Sequence, residues 1–194
     1  MTRTFFYLSH PDVLIDPAVP VPRWPLNDTG RARATRAATL PQLRSVTRII
    51  ASTEQKAIDT AQIIAEPKGL SIATHPDMGE NDRSATGFLP PDEFQATANA
   101  FFANPDQSIR GWETATGAQS RIRTAVTPYT QDDHPGDTLF IGHGGVGTLL
   151  WCAIAGLSIS REYDQPGTSG GNLFAFNAAL EPLWPWRAIE ELAP

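Results

Sequence analysis

The sequence predicts an α/β fold, a three-layer αβα sandwich around a mostly parallel central sheet. Three observations lead to it. Short β-rich runs occur at residues 4–8 (TFFYL), 46–51 (VTRIIA) and 138–142 (TLFIG), and largely apolar runs of this length read as buried strands. Segments with helical spacing alternate with them, which implies a sheet covered on both faces. The 194 residues, 41% hydrophobic and 19% charged, suffice for one domain with a sizeable core.

Residues 4–8 form the first strand. The loop that follows holds Pro11, Pro17, Pro20, Pro22 and Pro25, whose fixed φ and missing N–H exclude an α-helix. Asn27 or Asp28 caps a helix over about 29–43. Residues 46–51 are the second strand. Ser52 or Thr53 caps a helix to about Glu66, with Ala57, Ala61, Ile64 and Ala65 on one face. Residues 70–74 make a short third strand, and 76–91 are irregular. Helices are expected at 92–103 and 114–126, a strand at 138–142 and an apolar helix at 148–155. A late strand at 172–177 (NLFAFN) precedes a tail in which Trp184 and Trp186 pack the chain end onto the domain. Residues 1–194 are expected to form one domain with a cap or insertion at about 76–112. Its Phe88, Phe94, Phe101, Phe102 and Trp112 either cover a pocket or fill a core.

The formal charge is −6, from 15 basic and 21 acidic residues. That balance argues against nucleic acid or an anionic membrane as partner and leaves room for a local basic pocket. No apolar run approaches the roughly 18 residues of a membrane span. The N-terminus reads as a strand and not as a signal peptide, so a cytoplasmic location is expected. Cys152 is the one cysteine, which rules out an intrachain disulfide and reads as a buried, inert thiol. The oligomeric state is open.

Ligands of parallel sheets bind at the carboxyl ends of the strands. Here the first strand ends just before His10, the second at Ser52, and the strand at 138–142 just before His143. Three distant segments therefore present polar side chains on one rim. A neutral imidazole is available at working pH, and it can accept a phosphoryl group covalently. Gly142 to Gly147 also satisfies G-x-G-x-x-G. However, Glu162, the acidic residue at the right distance, precedes the next strand where a dinucleotide site needs it at the far end. His10, His143 and Glu80 lack metal-ligand spacing such as His-x-x-x-His, so no metal and no cofactor are expected. Residues 167–172, rich in glycine, form a turn or line the pocket mouth.

Specific segments carry a resemblance. Leu8-Ser9-His10-Pro11 lies where histidine phosphatases of the phosphoglycerate mutase-like superfamily have Arg-His-Gly. Pro25-Leu26-Asn27-Asp28-Thr29-Gly30 resembles that family's Pro-Leu-Thr-x-x-Gly helix start. Ser52 to Ala61 is similar to its Ser-x-x-x-Arg-Ala-x-x-Thr-Ala segment. Glu80 stands where the family has its general acid, and Ile141-Gly142-His143-Gly144 matches the second-histidine turn. The resemblance implies a phosphoglycerate mutase-like fold with His10 as nucleophile and His143 as donor to the transferring phosphoryl group. It implies Lys56 as phosphate counter-ion, Glu80 as proton donor and then base, and Ser9, Asp16 and Gly144 as further substrate contacts. The two imidazoles should face each other across a gap sized for one tetrahedral anion.

The departures are Ser9 for the signature arginine, Pro11 for glycine, Lys56 for arginine, and Asp16 where the mutase branch has a phosphate-binding asparagine. A charge-assisted phosphate contact is worth roughly 1.5–3 kcal/mol, so each lost cation costs about 10- to 100-fold. Arg23 and Arg83 are the nearest replacements in sequence. The expectation is a metal-independent phosphatase for a small phosphomonoester or other small anion, working through phosphohistidine with weak or altered activity. The alternative is a catalytically silent relative that binds a ligand or a protein partner.

Overall fold

Strand β1 (Thr4–Ser9) is buried on both faces. Phe5 and Tyr7 belong to one core, Phe6 and Leu8 to the other, because successive side chains alternate across a pleated strand. It sits inside a six-stranded sheet in the computed structural model, which describes residues 3–192. The other strands are β2 (Val46–Ser52), β3 (Ile72–His75), β4 (Asp137–Gly142), β5 (Asn172–Asn177) and β6 (Pro182–Ala188). Their order is β3-β2-β4-β1-β5-β6, and only β5 runs against its neighbours.

Helices α1 (Asp28–Ala38) and α2 (Gln55–Ala65) cover the Phe6/Leu8 face. Helices α3 (Pro91–Ala103), α4 (Ala115–Gln131) and α5 (Gly144–Ala155) cover the Phe5/Tyr7 face. The result is the expected three-layer αβα sandwich. Among the described residues no helix is long and apolar enough to cross a membrane. Cys152 is a buried free thiol.

The differences from expectation have local causes. Helix α1 stops at Ala38, five residues early, because Pro41 keeps the residue before it out of the helical region; Pro41–Leu43 is a 3-10 turn. A second 3-10 turn, Val21–Arg23, interrupts the proline-rich loop. The N-cap of α2 is Glu54, not Ser52 or Thr53. Helix α4 continues through Pro128 to Gln131. Helix α5 starts at Gly144, inside a glycine run that propensity alone reads as loop. The C-terminal tail is an edge strand, the one place where a sheet accepts Pro182 and Pro185. Its Trp186 packs on Phe174 and Tyr7, with ring centroids 4.6 and 6.0 Å away, and Trp184 packs on Phe6.

Strand register positions the site. Ser9 lies beside Gly142, and Ala51 beside Ile141. His10 and His143 therefore leave adjacent parallel strands at the same level, with Ser52 one strand further on.

Candidate active site

The rings of His10 and His143 meet edge to face, centroids 5.2 Å apart and planes at 71°. That is van der Waals contact between rings. No tetrahedral anion fits between them, which corrects the expectation of an open gap; an anion has to lie against their outer edges. His10 is half-buried, and its Nδ1 is 2.8 Å from the Pro11 carbonyl oxygen. A carbonyl only accepts, so Nδ1 carries the proton and Nε2 keeps its lone pair. Burial, aided by the positive charge of Lys56, lowers the His10 pKa from 6.5 to about 4. The ring is neutral at neutral pH. Its backbone is held by the Gly170–Gly171 turn: Gly171 N–H donates to the Ser9 oxygen at 3.1 Å. Gly170 has φ +64°, and a Cβ there would lie 2.0 Å from the His10 carbonyl oxygen, so only glycine fits.

His143 is fully buried. The Tyr7 hydroxyl accepts the His143 N–H at 3.1 Å and donates to its carbonyl at 3.3 Å. His143 Nε2 lies 2.9 Å from Ser52 Oγ and 3.3 Å from Glu54 Oε1. Ser52 Oγ is the hydrogen-bond partner of Nε2, and the Glu54 carboxylate stands at contact distance beside it; Nδ1 has no partner among the described residues. Glu54 is the centre of this inner group. Its Oε1 accepts the Glu80 N–H at 2.9 Å, and its Oε2 is 2.5 Å from Lys56 Nζ, which also donates to the Val21 oxygen at 3.0 Å. Burial opposes ionisation of Glu54. The neighbouring His143, the Lys56 ammonium and the Glu80 N–H outweigh it and lower the pKa to about 2.

The Glu80 carboxylate accepts the N–H groups of Gly145 (3.2 Å) and Val146 (3.0 Å) at the start of α5, satisfying donors that a helix leaves free. Arg121 fixes the Glu80 segment by donating to the carbonyls of Asp77, Gly79 and Glu80. The first N–H of α5, on Gly144, has no acceptor within the helix. A cleft of about 500 Å³ opens over His10, Glu80 and Gly144. Arg83 lines it, its guanidinium stacked 5.0 Å from the Phe94 ring centre and 5.7 Å from that of Trp112. Among the described residues it makes no ion pair.

The model of the histidine phosphatase superfamily (branch 1) matches residues 21–169, well over half of the sequence. The chain belongs to the histidine phosphatase superfamily. His10 lies ahead of the matched span, in the segment where Ser-His-Pro departs from the signature. No curated protein matches the sequence. Among solved structures, mycobacterial hydrolase 1 superposes with a TM-score of 0.76 at 19% identity, covering 96% of each chain. A mycobacterial glucosyl-3-phosphoglycerate phosphatase gives 0.73 at 19%, covering 96% of this chain and 97% of that one. The alpha-ribazole phosphatase of Shigella flexneri gives 0.65 at 17%, covering 89% of each. Identities this low show a shared fold.

In this member of the histidine phosphatase superfamily the expected residues divide. His10, Glu80 and Gly144 line the cleft together. His143 and Lys56 stand behind it, engaged by Glu54. Two placements are corrected. Ser9 is buried beneath the cleft: its hydroxyl donates to Gln165 Oε1 at 2.5 Å and accepts the Asn172 N–H at 3.0 Å. It therefore contacts protein where a substrate contact was expected, and Gln165 lines the cleft instead. Asp16 is exposed and outside the cleft, its carboxylate turned onto the Ala18 N–H at 2.9 Å, a local turn contact that takes it away from any anion. Arg23 is exposed and also outside. Of residues 76–112, Phe94, Phe101, Phe102 and Trp112 line the cleft, while Phe88 rests near Trp24, centroids 5.7 Å apart. The 167–170 turn lines the mouth. Among the described residues, no three His, Cys, Asp or Glu side chains converge as a metal site would require.

Glu54, Gln165, Tyr7 and Arg121 were not foreseen. No spacing rule reaches them, because each acts through a contact between distant segments. The Ser9 environment yields a prediction. Ser9→Arg recreates the family signature but puts a long side chain at a fully buried position with Gln165 against it. Overpacking costs about 1–3 kcal/mol, so the variant is expected to unfold at lower urea concentration without a gain in phosphate hydrolysis.

Proposed function

We propose that this chain is a phosphomonoesterase that forms a phosphohistidine on His10 and needs no metal. One observation carries the reading. The Pro11 carbonyl accepts a hydrogen bond from Nδ1–H of a neutral His10, leaving Nε2 as a nucleophile on the wall of a cleft.

The steps follow from the residues present. His10 Nε2 attacks phosphorus, and the ester P–O bond breaks. Glu80 delivers a proton to the departing alkoxide or phenoxide. Water then attacks the phosphohistidine, losing a proton to the Glu80 carboxylate, and inorganic phosphate leaves with His10 neutral again. Arg83 and the Gly144 N–H supply charge stabilisation, the main demand of phosphoryl transfer. The cleft volume suits a small molecule, and the net charge of −6 disfavours nucleic acid or an anionic membrane as the partner. Phosphatases named for small phosphorylated compounds share the fold, which supports the same substrate class.

Hydrolysis of p-nitrophenyl phosphate in the presence of EDTA tests the reading. The acid limb of kcat/KM is expected at about pH 4, where His10 protonates, and not at the ordinary histidine value. A limb near 6.5 would show that the nucleophile is not His10 as held here.

One observation favours a second reading, a catalytically silent ligand-binding relative: Glu54 already engages His143 and Lys56. Phosphate binding with no His10-dependent turnover would establish it.

A further inference from the structure

The inner end of the site is already complete. Lys56 and His143 are both buried, and neither lines the open cleft. Glu54 Oε2 takes Lys56 Nζ at 2.5 Å, and Oε1 takes the Glu80 N–H at 2.9 Å and lies 3.3 Å from His143 Nε2. An ammonium and a backbone N–H that donate to one carboxylate, with an imidazole ring edge beside it, form surroundings suited to a phosphoryl group. A cleft cation, Arg83, is left over: it stacks on Phe94 and Trp112 and makes no ion pair among the described residues.

Building on the phosphatase reading above, we propose that Glu54 is a tethered anion that fills the inner position and shifts the substrate's phosphoryl group outward, onto His10, the Gly144 N–H and Arg83. A carboxylate and a phosphate cannot share the inner space, since like charges at contact distance repel. Arg83, not Lys56, is then the counter-ion of the bound phosphate. The site selects phosphomonoesters whose phosphoryl group binds shallowly, with the organic part against the Phe94 and Trp112 wall.

Inorganic phosphate titrated calorimetrically into the full chain tests this in four forms: native, Glu54→Gln, Arg83→Ala and the double variant. Glutamine keeps an acceptor for the Glu80 N–H and leaves the Lys56 charge without a partner. In the native background Arg83→Ala should weaken phosphate binding about 10- to 100-fold, the range of one charge-assisted contact. Glu54→Gln should tighten binding about tenfold or more by removing a like charge and freeing Lys56. In the Glu54→Gln background Arg83→Ala should cost less than about threefold, because phosphate now rests against Lys56.

The proposal is overturned if Glu54→Gln leaves affinity unchanged or weaker, if Arg83→Ala costs the same in both backgrounds, or if no form binds phosphate. Glu54→Leu serves in place of Glu54→Gln should the latter fail to fold. The readout is binding, so the expected pattern without His10-dependent turnover would sink the catalytic reading and leave this one standing.

Discussion

His10→Ala will lower aryl phosphate hydrolysis by a thousandfold or more, on the order expected when a covalent nucleophile is removed. The stability of the fold should change little. His10 is half-buried at a strand end, and its ring touches the cleft on one side. The loss should therefore appear in kcat, while inorganic phosphate still binds through Arg83 and the Gly144 N–H. Single-turnover measurements in EDTA, with thermal unfolding as a check on folding, separate these effects. Turnover that survives the substitution would remove His10 from the role of nucleophile.

The largest structural effect is expected at Gly142. A Cβ there would stand 2.2 Å from the Tyr7 hydroxyl oxygen and 2.8 Å from its Cζ. Tyr7 has nowhere to go: it is fully buried, stacked on Phe174 with centroids 5.2 Å apart, and bonded through its hydroxyl to the His143 backbone on both sides. Gly142→Ala should cost about 3 kcal/mol, combining overpacking of roughly 1–3 kcal/mol with a disturbed hydrogen bond worth about 1 kcal/mol. Tyr7→Phe removes the hydroxyl and should by itself cost about 1–2 kcal/mol, because the His143 N–H is left buried without an acceptor. The double variant should be more stable than the sum of the two losses implies, since the first clash partner is gone. Urea unfolding of the four forms measures this coupling. Strict additivity would show that Gly142 and Tyr7 do not meet as described.

These two sites illustrate what sequence patterns reach and what they miss. Strands β1, β2 and β4 announce themselves as short, largely apolar runs, and the ends of those runs place His10, Ser52 and His143 on one rim. Strand β6 is hidden because two prolines contradict strand propensity, and only its edge position makes them tolerable. The start of α5 is hidden by three glycines in its first turn; Glu80, from a segment more than sixty positions away in sequence, accepts the N–H groups of Gly145 and Val146 there. In the site, strand-end residues were legible, while side chains meeting across the fold were not. Lys56 was recognisable as a cation in the right segment. That Glu54, two residues earlier, would turn back and neutralise it depends on how α2 enters from β2, which residue spacing does not encode. Asp16 was misplaced for the same reason: its loop position was correct, and its direction was set by a local turn.

The most direct test of the account is to identify the residue that becomes phosphorylated. The protein is mixed with an aryl phosphate, quenched in alkali where phosphohistidine persists, digested and mapped by mass spectrometry. The account predicts one phosphoryl adduct on the peptide carrying His10, lost on hydroxylamine treatment and absent from His10→Ala. Continued hydrolysis with no adduct, or with the adduct on any other residue, would contradict it.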